Sequence, residues 1–339
     1  MNRWSFELLD SEDRPIGTLD GVHAENGGSA EIVAQSPLGG SASLILDHRQ
    51  DIDWMSHRVQ AIFHDGAKAW PVGTYLLSSP TENHTSFGVT YGVGLLTKMN
   101  VISEDTVANR HSVIAGAPII PAVVALIQST GETRIAVTDS GSTLTASLTW
   151  KAGTSKLTVI NELLQAAGYW SLWCDGSGQF RVEPYTNPAD RPVAYSFEHG
   201  EASIHFPEWS RVQDNTSVPN RFLAIGQGDE EEPPLIGVAQ NEDPESPYSF
   251  QSRGRWITAT EEGVEGDTQE VFDQYAARKL REAMNPVSRL TVDHAMLDLP
   301  PNALVSFTPE DGVRRLATVQ RMKFDFRFDT DVSAEWREV

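Results

Sequence analysis

The residue types that carry most acid–base and metal chemistry are present in this chain but dispersed. His48, His57 and His64 lie close in sequence and would suit a metal site or a proton-transfer pair if folding gathered them. They fall on or beside an alternating run, Arg58–Phe63, where histidines are expected instead as exposed or capping groups. His199 and His205, within the strand-like run Ala194–Phe206, are not expected to share a ligand. Cys174 is the single cysteine, which excludes an intrachain disulfide and a multi-cysteine metal site and leaves it as a small buried hydrophobe. Asp175-Gly176-Ser177-Gly178 begins like half a calcium loop but lacks the later acidic ligand, so a hairpin turn is expected there. The 47 carboxylates guarantee chance pairs, so no glycosidase assignment follows from them. His-Glu-x-x-His, Cys-x-x-Cys, Gly-x-Ser-x-Gly and P-loop patterns are absent. The expectation is no catalytic, cofactor-binding or metal-binding residue, and no enzyme.

What the sequence does show is positioning. A stretch repeats at an offset of 37 residues. The first copy runs from Ala115-Gly116 through Ile120, Val123, Leu126 and Ile127 to Gln128 and Gly131. The second runs from Ala152-Gly153 through Leu157, Ile160, Leu163 and Leu164 to Gln165 and Gly168. The apolar spacing is close to one helix face, and Gly131 and Gly168 stand where a C-cap glycine belongs. Thr154 or Ser155 can cap the second helix, while Pro118 and Pro121 suit the first turn of the first. Strand-like runs follow, Arg134–Thr138 and Tyr169–Cys174, each ending in a turn of aspartate, serine and glycine. Two tandem helix–hairpin units are expected across residues 99–189.

The flanks read as β. Trp4–Leu9, Glu31–Ala34, Ser41–Leu46, Arg58–Phe63, Ala67–Trp70, Thr74–Ser78 and Thr85–Thr97 are strand-like, with a hairpin at His64-Asp65-Gly66 and a break at Pro71-Val72-Gly73. Beyond the repeat, Arg221–Ile225, Ser288–Ala295, Ala303–Thr308, Arg315–Phe326 and Asp331–Glu335 read the same way. Residues 227–249 are acidic and proline-rich, the composition of a solvated linker. One helix is expected from about Thr268 to Met284, with Val271, Tyr275, Ala276, Lys279 and Leu280 on one side and Asn285-Pro286 as its stop.

The formal net charge of −21 opposes phosphate binding and anionic membranes. No apolar run approaches bilayer length, and no secretory signal is visible at Met1–Asp10. The sequons at Asn83 and Asn215 therefore carry little weight.

The order of several segments resembles the tail-hub (baseplate-hub) proteins of long-tailed bacteriophages, labelled minor tail proteins in actinobacteriophages. They are Trp70–Pro80, Trp150–Ser155 leading to Ile160–Leu164, Gly168–Asp175, Arg181–Tyr185, Pro219–Arg221, Ser246–Ser249 with Gly254-Arg255, and Tyr275–Met284. The resemblance implies an α+β, mainly β protein: two tail-tube-like β-barrel or sandwich domains with a small duplicated α/β insertion. By that likeness residues 1–98, closed by about 190–226, form the first tube-like domain, and 99–189 form the insertion. Residues 227–249 form the linker, and 250–339 form the second tube-like domain with one helix.

The resemblance further implies a structural virion protein at the tail tip, assembled in the bacterial cytoplasm. It would be a homotrimer, with the tail tube or distal tail protein, the tape measure protein and the tip or receptor-binding proteins as partners. DNA would pass through its lumen without sequence-specific binding, and no stable membrane insertion is implied. A peptidoglycan hydrolase region, found beyond the hub in some members, has no room before Val339. The competing expectation is a carbohydrate-binding tail-tip or adhesin module, resting on Trp70, Trp150, Trp170, Trp173 and Trp209.

Overall fold

The computed structural model describes all residues except 1–2, 24, 49–51, 87, 214, 227–232, 265–267 and 285–287. The protein is mainly β with large antiparallel sheets. Eight strands open the chain: β1 (Arg3–Leu9), β2 (Pro15–Thr18), β3 (Gly28–Val33), β4 (Gly40–Leu46), β5 (Arg58–His64), β6 (Ala69–Leu77), β7 (Thr81–Thr85) and β8 (Gly88–Thr97). Their alternation decides the buried face: Phe6 and Leu8 on β1 and Val59, Ala61 and Phe63 on β5 point inward. The expected break at Pro71 does not occur. A bulge takes up one extra residue, so that Ala61 pairs with Gly73 and Ile62 with Pro71, and β6 runs on unbroken.

The next segment holds α1 (Met99–Glu104), β9 (His111–Val113), α2 (Ile119–Gln128), β10 (Ile135–Val137), β11 (Leu148–Trp150), α3 (Lys156–Ala166), β12 (Trp173–Cys174) and β13 (Phe180–Val182). The 37-residue offset is structural as well as sequential, since it carries β9 onto β11 and α2 onto the matching turns of α3. β9 and β11 pair antiparallel with Ser112 opposite Thr149, which are each other's counterparts. A local pseudo-twofold axis therefore passes between them. Three glycine pairs take left-handed backbone in both copies: Gly116 and Gly153 (φ 82° and 84°), Gly131 and Gly168 (93° and 74°), Gly141 and Gly178 (67° and 83°). The apolar stripes of α2 and α3 share one core with Trp150, Leu172 and Phe180. Each fully buried Ile or Leu contributes about 1.5–3 kcal/mol.

The second copy forms its hairpin, β12 against β13. The first does not: β10 pairs parallel with β13. After Gly141 the chain returns along the start of α2, where Ser142 O accepts from Ile119 N and Leu144 is buried.

Beyond the insertion come β14 (Tyr195–Glu198), β15 (His205–Val212), β16 (Arg221–Gly226), β17 (Ile236–Gln240), α4 (Phe250–Arg253), β18 (Thr258–Val264), α5 (Gln269–Ala283), β19 (Arg289–Ala295), β20 (Leu304–Thr308), β21 (Arg315–Asp325) and β22 (Asp331–Glu338). Fourteen strands join in one sheet along β15-β19-β22-β21-β3-β4-β8-β6-β5-β1-β2, with β14, β20 and β7 beside it. The path is open at both ends among the described residues. It nevertheless curls twice. Trp4 and Phe6 on β1 meet Phe324 and Phe326, at the end of β21 and just beyond it, with ring centroids 4.9–5.6 Å apart. Phe197 on β14 and Phe307 on β20 meet Trp336 on β22 at 4.8 and 5.6 Å.

β21 is common to both curls. Its first half pairs with β20 and its second half with β3. Strands from 190–226 do not close the first curl, because β14 pairs with β20 and β15 with β19.

The chain divides into two compact units, residues 1–209 with 291–337 and 339, and residues 210–290 with 338. The smaller unit is a three-stranded sheet, β17-β16-β18, with α5 on one face. Part of the expected linker is thus a strand, because Gly237 and Ala239 alternate into the core against Phe222 and Phe272. Residues 227–232 of that linker lie outside the described residues, as does the expected stop at Asn285-Pro286. The buried stripe of α5 is Phe272, Ala276 and Leu280, with Val271 exposed. A one-residue rotation of the expected face accounts for this, placing the larger ring in the core.

Candidate functional site

The site with the densest chemistry is a buried ion network where the insertion meets the first strands. Asp10 shapes the β1–β2 turn by accepting from Glu12 N at 2.8 Å and Arg14 N at 3.0 Å. The turn sets Asp13 in left-handed backbone (φ 61°) with its carboxylate inward. Arg58 donates to Asp13 and to Glu132 at 2.7 Å each. Lys98 lies 2.5 Å from Asp13 and 2.8 Å from Glu132, and donates to Gly178 O at 2.8 Å. Lys98 is fully buried, and the other three side chains are at most 8% exposed. Two cations face two anions, with Arg134 3.8 Å from Asp13 as a half-exposed third cation. Burial works against the Arg58 charge, but the bonds to Asp13 and the charge of Glu132 outweigh it and hold the guanidinium above its ordinary range.

The two copies enter this joint differently. The first supplies Glu132, directly after the C-cap Gly131. The second supplies the turn Asp175–Gly178. Asp175 accepts from Ser177 N and Gln179 N at 3.0 Å each and from Arg181 Nε at 2.8 Å. A Cβ at Gly176 would overlap the Pro71 carbonyl, and Thr74 Oγ1 donates to Gly176 O at 3.1 Å. Burial pushes the Cys174 thiol up to about 12, partly opposed by Lys98. Burial also raises the neighbouring Tyr75 hydroxyl. A thiol so placed is a poor nucleophile.

The histidines are not gathered. His57 Nδ1 accepts from Asp53 N at 3.2 Å, and His64 Nε2 lies 2.7 Å from Ser5 Oγ. The Ser5–His64 pair has the first contact of a nucleophile–base dyad, but no acidic residue among the described ones bonds His64 Nδ1 to orient it. His199 lies 3.8 Å from Glu310 and is exposed, whereas His205 is buried against Phe307. His294, buried beside Phe197 and Trp336, is held below the usual imidazole range by that burial. Among the described residues no group of three His, Cys, Asp or Glu side chains is placed to hold a metal.

The tryptophans offered for sugar stacking already have partners. Trp70 packs on Phe63 and Trp150 is buried. Arg191, Arg181 and Arg315 lie over Trp170, Trp173 and Trp209 at 4.6, 6.0 and 5.1 Å. No helix is long and apolar enough to cross a membrane, among the described residues.

Sequence reasoning missed all four members of the network. The signal that could have found them is a lone charge set among apolar residues, as at Lys98 before Met99.

No protein-family model matches the chain, and no curated protein matches it in sequence. Its fold does match solved structures. A tail protein from Neisseria meningitidis superposes with a TM-score of 0.68 at 11% identity over 99% of this chain and 97% of that one. The 43 kDa tail protein of prophage MuSo2 from Shewanella oneidensis gives 0.67 at 10% identity, covering 99% and 98%. A prophage tail protein from Listeria monocytogenes gives 0.55 at 10% identity, covering 98% and 94%. The chain has the fold of phage tail proteins.

Proposed function

We propose that this chain is a structural virion protein, a trimeric hub at the tail tip that joins the tail tube to the tip apparatus and lines part of the DNA-ejection channel. The observation that carries the reading is one fourteen-stranded sheet that curls twice about the shared β21, in a chain of tail-protein fold. Each curl serves as one tube-like domain, so three copies present six such domains to a hexameric tube. A cyclic trimer needs a heterologous interface that closes. The charge of −21 suits a conduit that repels passing phosphates instead of retaining them. The partners are then the tail tube or distal tail protein, the tape measure protein and the tip proteins, and the ion network serves to fix the insertion to the first curl. The protein performs no catalysis in this role.

The test is to image purified particles carrying an affinity tag on this chain, labelled with a tag-specific gold probe. Gold confined to the tail tip supports the reading; gold along the tube, or on the head, overturns it.

A further inference from the structure

Edge strands expose unpaired backbone groups, and proteins guard them with charge, proline or bulges. Among the described residues, the edge strands of four or more residues follow that rule, with one exception. β2 begins at Pro15, β7 carries Glu82 and His84, β14 ends in Glu198, and β15 holds Pro207 and Glu208. β18 holds Glu261 and Glu262 and a register shift opposite Gly226. β17, Ile236-Gly237-Val238-Ala239-Gln240, has none of these devices.

Its geometry leaves the edge open. Gly226 N donates to Leu235 O at 2.9 Å and Asn241 N to Asn220 O at 2.8 Å. Alternation then turns the backbone groups of Leu235, Gly237, Ala239 and Asn241 toward β16, and those of Ile236, Val238 and Gln240 outward. Gln269 Nε2 covers Ile236 O at 2.8 Å, which leaves Val238 and Gln240 to the edge. On the sheet face away from α5, Ile236 and Val238 are 43% and 46% exposed beside the half-buried Ile225 and Leu223. Arg221 on β16 stands opposite Gln240, and the chain on either side of the strand is acidic in sequence. No lysine or arginine occurs between Arg221 and Arg253, while seven carboxylates stand between Asp229 and Glu245.

We propose that the free edge of β17 receives an extended segment of a partner protein, apolar at alternate positions and basic between them, as a fourth strand of this sheet. Main-chain bonds to Val238 and Gln240 supply the affinity, the apolar side chains extend the Ile236–Val238 surface, and the basic ones meet the exposed Glu242, Asp243 and Glu245 just beyond the strand. A second copy of this chain fits less well, because pairing β17 with itself would bring two acidic flanks together.

The test uses the full chain and an eight-residue peptide of alternating valine and lysine. Two comparison peptides replace lysine with glutamate, or N-methylate the central amides while keeping charge and side chains. The expected result is saturable binding by the first peptide, at least tenfold weaker binding by the other two, and slowed amide exchange at Val238 and Gln240. Val238→Lys, and Val238→Pro where it folds, should weaken binding at least tenfold. Equal binding of the N-methylated peptide, protection elsewhere than at β17, or indifference to Val238→Lys would overturn the proposal. So would absence of binding, or self-association of the chain that Val238→Lys abolishes and the peptide does not displace.

Discussion

The two copies of the duplicated unit have the same local backbone and different surroundings. Both present a strand, a left-handed glycine, a helix (10 and 11 residues), a C-cap glycine and a turn closed by a third left-handed glycine. Only in the second is that turn seated on another element, with Gly176 against Pro71 and Gly178 against Lys98 and Thr74. Its counterpart ends at Gly141, around which a Cβ would meet nothing. At the position of Gly176 the first copy carries Asp139, a side chain that the seated turn has no space for. Conversely, the residue after the C-cap glycine is Glu132 in the first copy and Tyr169 in the second. Glu132 joins the ion network, whereas Tyr169 donates to Thr138 O at 2.6 Å inside the insertion. Equal local geometry with unequal contacts separates what the repeat needs to fold from what the joint needs to hold.

Variants in the two copies and at the joint sharpen this contrast. The largest effect is expected from Lys98→Met, which leaves two buried carboxylates, Asp13 and Glu132, facing Arg58 as their one remaining shared cation. A loss of about 3–5 kcal/mol is expected by urea unfolding, with Glu132→Gln added to the same variant recovering part of it. Lys156→Met, which breaks the more exposed pair with Asp105, should cost no more than about 1 kcal/mol. Next, Gly176→Ala should cost about 1–3 kcal/mol through overpacking against β6. If it costs nothing, the turn is not seated and the contrast between the copies fails. Gly116→Ala and Gly153→Ala should then each cost about 1 kcal/mol, and by equal amounts, since both glycines are left-handed and face open space. The smallest effect belongs to Asp139→Ala. Among the described residues its carboxylate accepts only from Gly141 N, so a change within about 0.5 kcal/mol is expected, against about 1–3 kcal/mol for Asp175→Ala.

Much of the fold is legible in the sequence because its signals are local. The stripes of α2 and α3, the glycines that end them, the Asp65-Gly66 hairpin and the alternation on β1 and β5 all depend on near neighbours. Long-range pairing leaves no such trace. Nothing in Tyr195–Glu198 announces that it pairs with Leu304–Thr308 instead of with the first strands. The return of the chain along α2, which replaces the first hairpin, depends on burying Leu144 in a core built from both copies. The ion network was illegible for the same reason. Asp13, Arg58, Lys98 and Glu132 are spread over more than a third of the chain and obey no period.

Assembly into a trimer is measured most directly by the mass of the protein in solution. Sedimentation equilibrium across a wide concentration range should converge on about three times the 37.3 kDa chain mass. A single species of 37.3 kDa at every concentration, with no trimer recovered from particles, would contradict it.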